Sequence, residues 1–197
     1  MATPTPGPLS LLEAVNIILA NDGETGVSAL DQDNEFSESG KAEATLHEIS
    51  RAIQTDGHGF NTDFERKFTP TVANEIELPA STLSVTPSGI SETLEVVERG
   101  RKLYNLDTHS YTFTSPVYLD VVSFLAWDDL PSAVRYYVAV RAARVYQARN
   151  TGSPQQNSYT ESDEMRAEAA FKKSDRRMRK RGFFRNPRNA YGLRRSP

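Results

Sequence analysis

The sequence contains no cysteine and no long apolar run, and both absences limit what the protein can be. Without cysteine there is no disulfide, no thiolate metal ligand and no cysteine nucleophile, which excludes small secreted proteins stapled by disulfides. No apolar stretch approaches the roughly 18 residues of a membrane-spanning helix, so we expect no membrane insertion by this chain. Pro4, Pro6 and Pro8 stand where a signal peptide has basic and then apolar residues, so we expect no export signal.

Histidine and glycine are too scattered to form a familiar chemical site. The three histidines, His47, His58 and His109, lie in separate segments without the spacing of a zinc site. Gly57-His58-Gly59 lacks the preceding strand and the following helix of a phosphate-binding loop, so a turn at a helix end is the better interpretation. We therefore expect neither a metal nor a cofactor.

Catalysis by a carboxylate pair is the remaining enzymatic option. Asp63 with Glu65, or Asp128 with Asp129, would have to be held a set distance apart across a cleft. A chain with 26 acidic residues brings such pairs together by chance. We expect no catalytic residue, and we assign Asp128 and Asp129 to the N-terminal cap of a helix.

What the sequence does have is a strong separation of charge. Residues 1–130 hold 21 acidic and 7 basic residues, whereas residues 131–197 hold 16 basic and 5 acidic ones. The last 26 residues alone hold eleven Lys or Arg against a single acid, Asp175. Two opposite poles act at long range, so they favour binding to a polyanion or to the opposite pole of a neighbouring copy.

The N-terminal part carries two helical patterns. Ser10 and Glu13 form a capping box, and leucine, valine and isoleucine then recur at helical spacing until Gly23. A second, amphipathic helix is indicated by four apolar residues at helical spacing, and Gly57 ends it. These four residues are Ala42, Leu46, Ile49 and Ile53.

The period changes from helical to alternating over residues 60–127. Proline and glycine separate short runs that are rich in valine, threonine and aromatic residues. We predict a hairpin with strands 93–97 and 102–106 joined at residues 98–100, and a further strand within the apolar run 117–125. Because helical patterns flank this β module on both sides, we expect it to be inserted into a helical domain.

A third helix is predicted to begin at Pro131 and to run to Asn150. At 100° per residue its apolar residues fall on two opposite sides. Such a helix must be covered twice, by other helices, by the β module or by a neighbouring subunit. The residues concerned are Val134, Val138 and Val145 on one side and Tyr136, Val140 and Ala143 on the other.

A fourth helix is predicted from about Ser158 to Arg181, acidic in its first turn and basic in its last, as the helix dipole favours. Its apolar line is thin. The tail after Gly182 mixes arginine with aromatic residues and has no periodicity, so we predict an arm that orders only on binding. The apolar line consists of Ala167, Ala170, Phe171, Ser174 and Met178.

These patterns together predict an α+β fold. It is a bundle of about four helices with an inserted antiparallel β module and an extended basic C-terminal arm. We assign residues 1–59 and 128–182 to the helical body, residues 60–127 to the β module and residues 183–197 to the arm.

The basic C-terminal end allows three interpretations. It can bind nucleic acid, because arginine neutralises phosphate and aromatic rings stack on bases. It can dock on a protein, because arginine and aromatic residues are the usual anchors of interfaces. It can also be a solvated helix end with a free tail. The candidate binding residues are Arg176, Arg177, Arg179, Lys180, Arg181, Phe183, Phe184 and Arg185.

Three segments, taken in order, resemble a known family. The first two are Ala14-Val15-Asn16 followed by Gly23-Glu24, and Ile53-Gln54 followed by Gly57 and Phe60-Asn61. The most specific is Asp128-Asp129-Leu130-Pro131 followed by Arg135-Tyr136-Tyr137. The ordered set resembles the tail tubular protein A family of podoviruses, which are short-tailed bacteriophages, over nearly the whole chain.

The resemblance implies a non-enzymatic protein of the virion tail, assembled in the host cytoplasm. About twelve copies would form a head-to-tail adaptor ring, a closed homo-oligomer. The ring would join the portal protein to the nozzle protein, tail tubular protein B, near the tail fibre, and genomic DNA would pass through its channel. The basic arm would dock on the portal. The ring body would be packed by Val134, Tyr136, Val138, Val140 and Val145.

Two other functional classes remain. A nucleic-acid-binding module would use the basic arm, and its affinity would fall steeply with salt. A tail-associated glycan hydrolase is the third and least favoured class, since no residue pattern in this sequence requires it.

Overall fold

The fold is α+β, as the sequence predicts. The computed structural model describes residues 7–30, 36–150 and 154–185, with side chains described up to residue 150 and again from 161 to 179. The helices of this part are α1 (Leu11–Asp22), α2 (Glu38–Thr55), α3 (Ser132–Asn150) and α4 (Pro154–Arg185). Its strands are β1 (Thr62–Phe68), β2 (Thr82–Pro87), β3 (Val96–Arg99), β4 (Lys102–Asn105) and β5 (Val117–Ser123).

The chain divides into two compact units. The helical unit comprises residues up to Ile53 together with Ala126–Met178. The β unit comprises Gln54–Leu125, to which the chain from Arg179 onwards is also assigned. The four segments derived from the sequence, with boundaries at residues 59, 127 and 182, stay a prediction.

The first two helices of the helical unit follow the sequence pattern closely. The Ser10 amide donates to the Glu13 carboxylate at 2.8 Å, and the Glu13 amide donates back to the Ser10 hydroxyl at 3.2 Å. This capping box starts α1, and Gly23 ends it in the left-handed conformation at φ 89°. Along α2 the four apolar residues named above are all buried, at most 7% exposed.

The entry to α3 differs from the expectation. Asp128 and Asp129 lie in a 3-10 turn, Trp127–Asp129, and no acidic residue lies in the first turn of α3, which begins at Ser132. The Val134 and Arg135 amides donate instead to the Pro131 carbonyl oxygen. The predicted capping role of the two aspartates is therefore wrong, because the turn places them before the helix.

The fourth helix is longer than predicted. It begins at Pro154, a residue well suited to the first helical position, and its backbone continues through Arg185, three residues past Gly182. Ala167 and Phe171 are buried as expected, whereas Ala170 is exposed. A helical ion pair joins Glu168 to Lys172 at 2.7 Å, the acid-first spacing that stabilises a solvated helix.

The β unit contains a three-stranded antiparallel sheet in the order β1–β5–β2 and a separate β3–β4 hairpin. The hairpin turns at Gly100-Arg101, so residues 98 and 99 belong to β3 and the predicted turn at 98–100 is wrong by two residues. One apolar cluster fills the interior of the unit. It consists of Phe68, Ile76, Leu78, Leu103, Phe113, Val117, Leu119 and Val121.

Candidate assembly surfaces

The apolar residues of α3 divide into covered and uncovered ones. Val134 and Val138 are fully buried, and Val140 and Val145 are partly buried. Tyr136, in contrast, is 51% exposed, although the other two tyrosines of α3, Tyr137 and Tyr146, are buried. The side of α3 that carries Tyr136 is therefore only partly covered by the chain itself.

Three helices of the same unit cover the remainder of α3. From α1, the Asn21 side-chain amide donates to the Ala143 carbonyl oxygen and to the Gln147 side chain, both at 3.3 Å. From α4, the Phe171 ring stacks on Tyr137 with centroids 5.2 Å apart. From α2, the Glu38 carboxylate accepts a hydrogen bond from the Tyr146 hydroxyl. Because these contacts surround most of α3, the strip beside Tyr136 is its open side.

The contact between α2 and α3 is a hydrogen bond between the buried Tyr146 and the exposed Glu38. The Tyr146 hydroxyl donates to the Glu38 carboxylate at 2.6 Å, while Tyr146 itself is 2% exposed. Burial, followed by this hydrogen bond, raises the pKa of Tyr146 to about 12. The hydrogen bond from Tyr146, together with that from Lys41, lowers the pKa of Glu38 below its usual value. The pair fixes the start of α2 against the middle of α3.

A second polar cluster joins α3 to the segment before α1. The guanidinium of Arg135 is 7% exposed and donates to the carbonyl oxygens of Leu130 at 2.9 Å and Leu9 at 3.1 Å. The Trp127 indole donates to the same Leu9 oxygen at 3.0 Å. A buried arginine is tolerated because each of its three side-chain nitrogens donates to a backbone carbonyl oxygen, the third being that of Asp128. The cluster fixes the polypeptide where it leads into α1 and into α3.

The two ends of the β unit are joined by side-chain hydrogen bonds of Gln54 and Asn61, which we call the clasp. Gln54 is fully buried. Its side-chain oxygen accepts a hydrogen bond from the Leu125 amide at 2.7 Å, and its side-chain nitrogen donates to the Leu125 carbonyl oxygen at 3.1 Å. The Asn61 side chain donates to the carbonyl oxygens of Gln54 and Ser123. The first and last residues of Gln54–Leu125 are therefore hydrogen-bonded to each other.

Most arginines of α3 are engaged within the chain. Arg144 pairs with Glu164, and Arg141 lies 3.8 Å from the same carboxylate and donates to the Tyr137 hydroxyl at 2.9 Å. This last hydrogen bond raises the pKa of Arg141. A shallow, polar cavity of about 190 Å³ lies between these groups. Both arginines that line the cavity lie beside the Glu164 carboxylate.

Neither a metal centre nor a membrane segment is found. Among the residues whose placement is described, no group of three or more histidine, aspartate or glutamate side chains could hold a metal ion. No helix in the same part of the chain is both long and apolar enough to cross a membrane.

Comparison with known proteins identifies the family. A family model described as tail tubular protein matches residues 12–181. The tail tubular protein A of Klebsiella phage KP34 is 33% identical over 136 residues, which is 68% of this chain and 70% of that relative. The chain belongs to the tail tubular protein family. It is therefore a structural protein of a bacteriophage tail and a component of the virion, and the resemblance inferred from its sequence is confirmed.

The segments that carried the resemblance have structural roles in this tail tubular protein. Gln54 and Asn61 form the clasp of the β unit, and Arg135 forms the cluster on Leu9. Gly57 has φ 71°, and a Cβ there would lie 2.9 Å from the Val122 side chain, so only glycine fits. Sequence reasoning missed these roles because hydrogen bonds between distant residues leave no periodic signal.

The basic residues of this tail tubular protein that were assigned to a docking arm are only partly described. Arg176 and Arg177 are exposed on α4. Arg179 is also exposed, and it donates to the Gly57 carbonyl oxygen at 2.6 Å. Residues 180–185 continue the helical backbone, while their side chains and all of residues 186–197 lie outside the description. The side chains left out include Lys180, Arg181, Phe183, Phe184 and Arg185.

Proposed function

We propose that this tail tubular protein is the head-to-tail adaptor of a short-tailed phage. Its copies form a closed ring that joins the portal protein to the nozzle protein, and the ring continues the channel through which genomic DNA passes. About twelve copies are expected, as in the resemblance noted above, and a closed ring needs one repeated contact. The protein acts mechanically and has no catalytic site.

The observation that carries the proposal is the exposed side of α3. Tyr136 is 51% exposed beside the partly buried Val140, whereas the other two tyrosines of α3, Tyr137 and Tyr146, are buried. Tyrosine is enriched at the centre of protein interfaces, where its ring becomes covered. A neighbouring copy in the ring provides that cover. Val134 and Val138 pack in the interior of each copy.

Charge supports a defined direction along the tail. The arginines of α3 are neutralised within the chain, by Glu164 for Arg144 and by Glu48 for Arg149. The surplus of positive charge is therefore at the end of α4, where Lys173, Arg176 and Arg177 are exposed. We assign this end, with the arm that follows it, to docking on the portal, since charge steers and orients association.

The β unit is assigned to the opposite junction. It has its own apolar cluster and its own clasp, so its loops can vary without disturbing the helices. Val72 and Ile90 are exposed apolar residues on two of these loops. We assign the β unit to contact with the nozzle and the tail fibre.

Electron microscopy of the purified protein mixed with its own portal tests the proposal. The wild type should form a closed ring on one face of the portal. Tyr136→Asp should give a folded protein, by circular dichroism, that forms no ring, because it would bury an unpaired charge between copies. Ala148→Asp, at an exposed position of the same helix, is the matched control. Rings from Tyr136→Asp equal to those of the wild type would refute this use of α3.

One observation supports a second candidate function. Lys173, Arg176 and Arg177 are all exposed on α4 and could neutralise DNA phosphates. A nucleic-acid-binding module would bind DNA without a portal, and its affinity would fall linearly with salt on a logarithmic scale. Portal binding that persists without DNA would decide against this alternative.

A further inference from the structure

One face of the β3–β4 hairpin carries Arg99 and Tyr104, with Tyr111 packed on Tyr104 and Arg101 in the adjoining turn. We call these four residues the hairpin patch. The Arg99 guanidinium lies 4.0 Å from the centroid of the Tyr104 ring. The Tyr104 and Tyr111 rings form a T-shaped pair with centroids 4.9 Å apart, and Tyr111 is 38% exposed. The opposite face of the hairpin carries Leu103, which is fully buried in the apolar cluster.

The charges of the hairpin patch are not balanced by the chain. Residues 54–125 contain five basic residues, and three of them lie within residues 99–102. Lys102 is hydrogen-bonded to Glu75 at 2.6 Å and also lies in the field of Glu77. In the part of the chain that the structure describes, Arg99 and Arg101 form no ion pair with a carboxylate. Two positive charges therefore face solvent beside two tyrosines.

Arg101 is also held in an unfavourable backbone conformation. The two residues of the turn, Gly100 and Arg101, have φ angles of 60° and 62°. A two-residue hairpin turn with positive φ at both positions favours glycine, asparagine or aspartate. Arginine there is strained, and strain of this kind concentrates at functional sites. The strained residue is the one that carries a free guanidinium at the tip of the hairpin.

We propose that the hairpin patch binds a carboxylate-bearing surface of the nozzle protein. The inference rests on the proposed function, in which the nozzle seats on the ring. Arginine and tyrosine are the residue types that dominate the energy of protein interfaces. Every copy in a ring presents the same hairpin patch, so a nozzle seated on the ring meets it repeatedly. The free guanidinium groups supply the charge complementarity that steers and orients the partner.

The same side chains fit a single-stranded nucleic acid less well. Base binding needs an open aromatic face for stacking. The Arg99 guanidinium already covers a face of Tyr104, and Tyr111 packs against the same ring in a T-shaped pair. The geometry therefore favours carboxylates of a protein over phosphates.

Binding to the purified nozzle protein of the same phage tests the inference. Arg101→Gly should weaken the affinity about tenfold, as expected for loss of one interface anchor. It should leave the melting temperature unchanged or raised, because glycine relieves the strain. Arg99→Ala combined with Arg101→Gly should weaken the affinity about a hundredfold and reduce its dependence on salt.

Two matched controls separate docking from folding and from total charge. Asn74→Gly relieves a similar positive φ of 59° without removing a charge, and Lys67→Ala removes an exposed cation elsewhere in the β unit. Neither should change nozzle binding. Wild-type affinity in the double variant would overturn the inference while leaving the adaptor role intact. A wild type that binds neither portal nor nozzle would overturn both the inference and the adaptor role. If the double variant loses only binding to single-stranded DNA, the ligand of the hairpin patch is nucleic acid and not the nozzle.

Discussion

At the scale of the residue, α3 has two kinds of apolar position with opposite expected behaviour. Val138 is fully buried within the copy, so Val138→Asp should lower the free energy of unfolding by more than about 3 kcal/mol, because an unpaired charge is buried. Tyr136→Asp, at a position that is 51% exposed, should change it by less than about 0.5 kcal/mol. Urea unfolding of both variants measures the difference. Equal stabilities would show that α3 does not pack as described.

The Tyr146–Glu38 hydrogen bond contributes to the stability of the helical unit over a defined pH range. The pKa of Glu38 is lowered in the folded state, so this contribution is present above the unfolded value near 4.5 and is lost as the pH falls below it. The pKa of Tyr146 is raised to about 12, so its contribution is complete below the unfolded value of 10.0 and is lost as the pH rises towards 12. The pair therefore stabilises the fold between these limits.

Tyr146→Phe tests this range. The variant should melt about 2–4 °C lower than the wild type at pH 7, since it removes one charge-assisted hydrogen bond from a protein of this size. The difference should shrink at an acid pH below the lowered pKa of Glu38, where its carboxylate is protonated. A difference in melting temperature that is the same at both pH values would mean that packing of the aromatic side chain, and not the hydrogen bond, fixes Tyr146.

At the scale of the element, the sequence predicted what depends on periodicity. The capping box, the buried stripe of α2 and the apolar strand β5 follow from residue spacing alone. The hairpin turn was misplaced because Arg101 adopts a positive φ that its residue type disfavours. Strand β1 was not recognised because a bulge between Asp63 and Arg66 interrupts its alternation.

The candidate sites were less accessible to sequence reasoning than the elements. Spacing identified the two apolar sides of α3, but only the packing of α1, α2 and α4 shows that Tyr136 is the exposed residue among them. The hairpin patch combines residues 99 to 111 through a turn and a loop, and no repeat in the sequence brings them together. Such sites depend on tertiary geometry, which a linear pattern does not contain.

The C-terminal element gives a prediction about portal docking. Truncation after Gly182 should leave a folded protein, because the residues of α4 described as buried, Ala167, Phe171 and Asp175, all lie before that point. It should sharply weaken attachment to the portal, since it removes Phe183 and Phe184, each worth about 1.5–3 kcal/mol if fully covered. Truncation after Arg185 is the matched control and should retain much of the attachment. Pull-down on purified portal measures the attachment of both proteins. Full attachment of the shorter protein would show that the tail is free and is not a docking arm.

At the scale of the whole molecule, the chain is built from two units with separate means of stabilisation. The helical unit is held by α3 and by the Arg135 cluster on Leu9. The β unit is held by its apolar cluster and by the pairing of Gln54 with Leu125. This division suits a tail protein, since the helices can maintain one junction while the β unit changes to fit another partner.

The division predicts that the β unit folds by itself. A fragment of residues 54–125 contains the entire apolar cluster and both ends of the clasp, so excision removes none of these contacts. We expect cooperative thermal unfolding, followed by circular dichroism, and dispersed amide signals in an NMR spectrum. Gln54→Ala in this fragment should cost about 1–3 kcal/mol, because it leaves the Leu125 amide and carbonyl oxygen without their partner. His109→Ala, at an exposed position, should have no measurable effect. A fragment without a cooperative transition would show that the β unit depends on the helical unit, and the clasp would then be a consequence of the fold and not one of its causes.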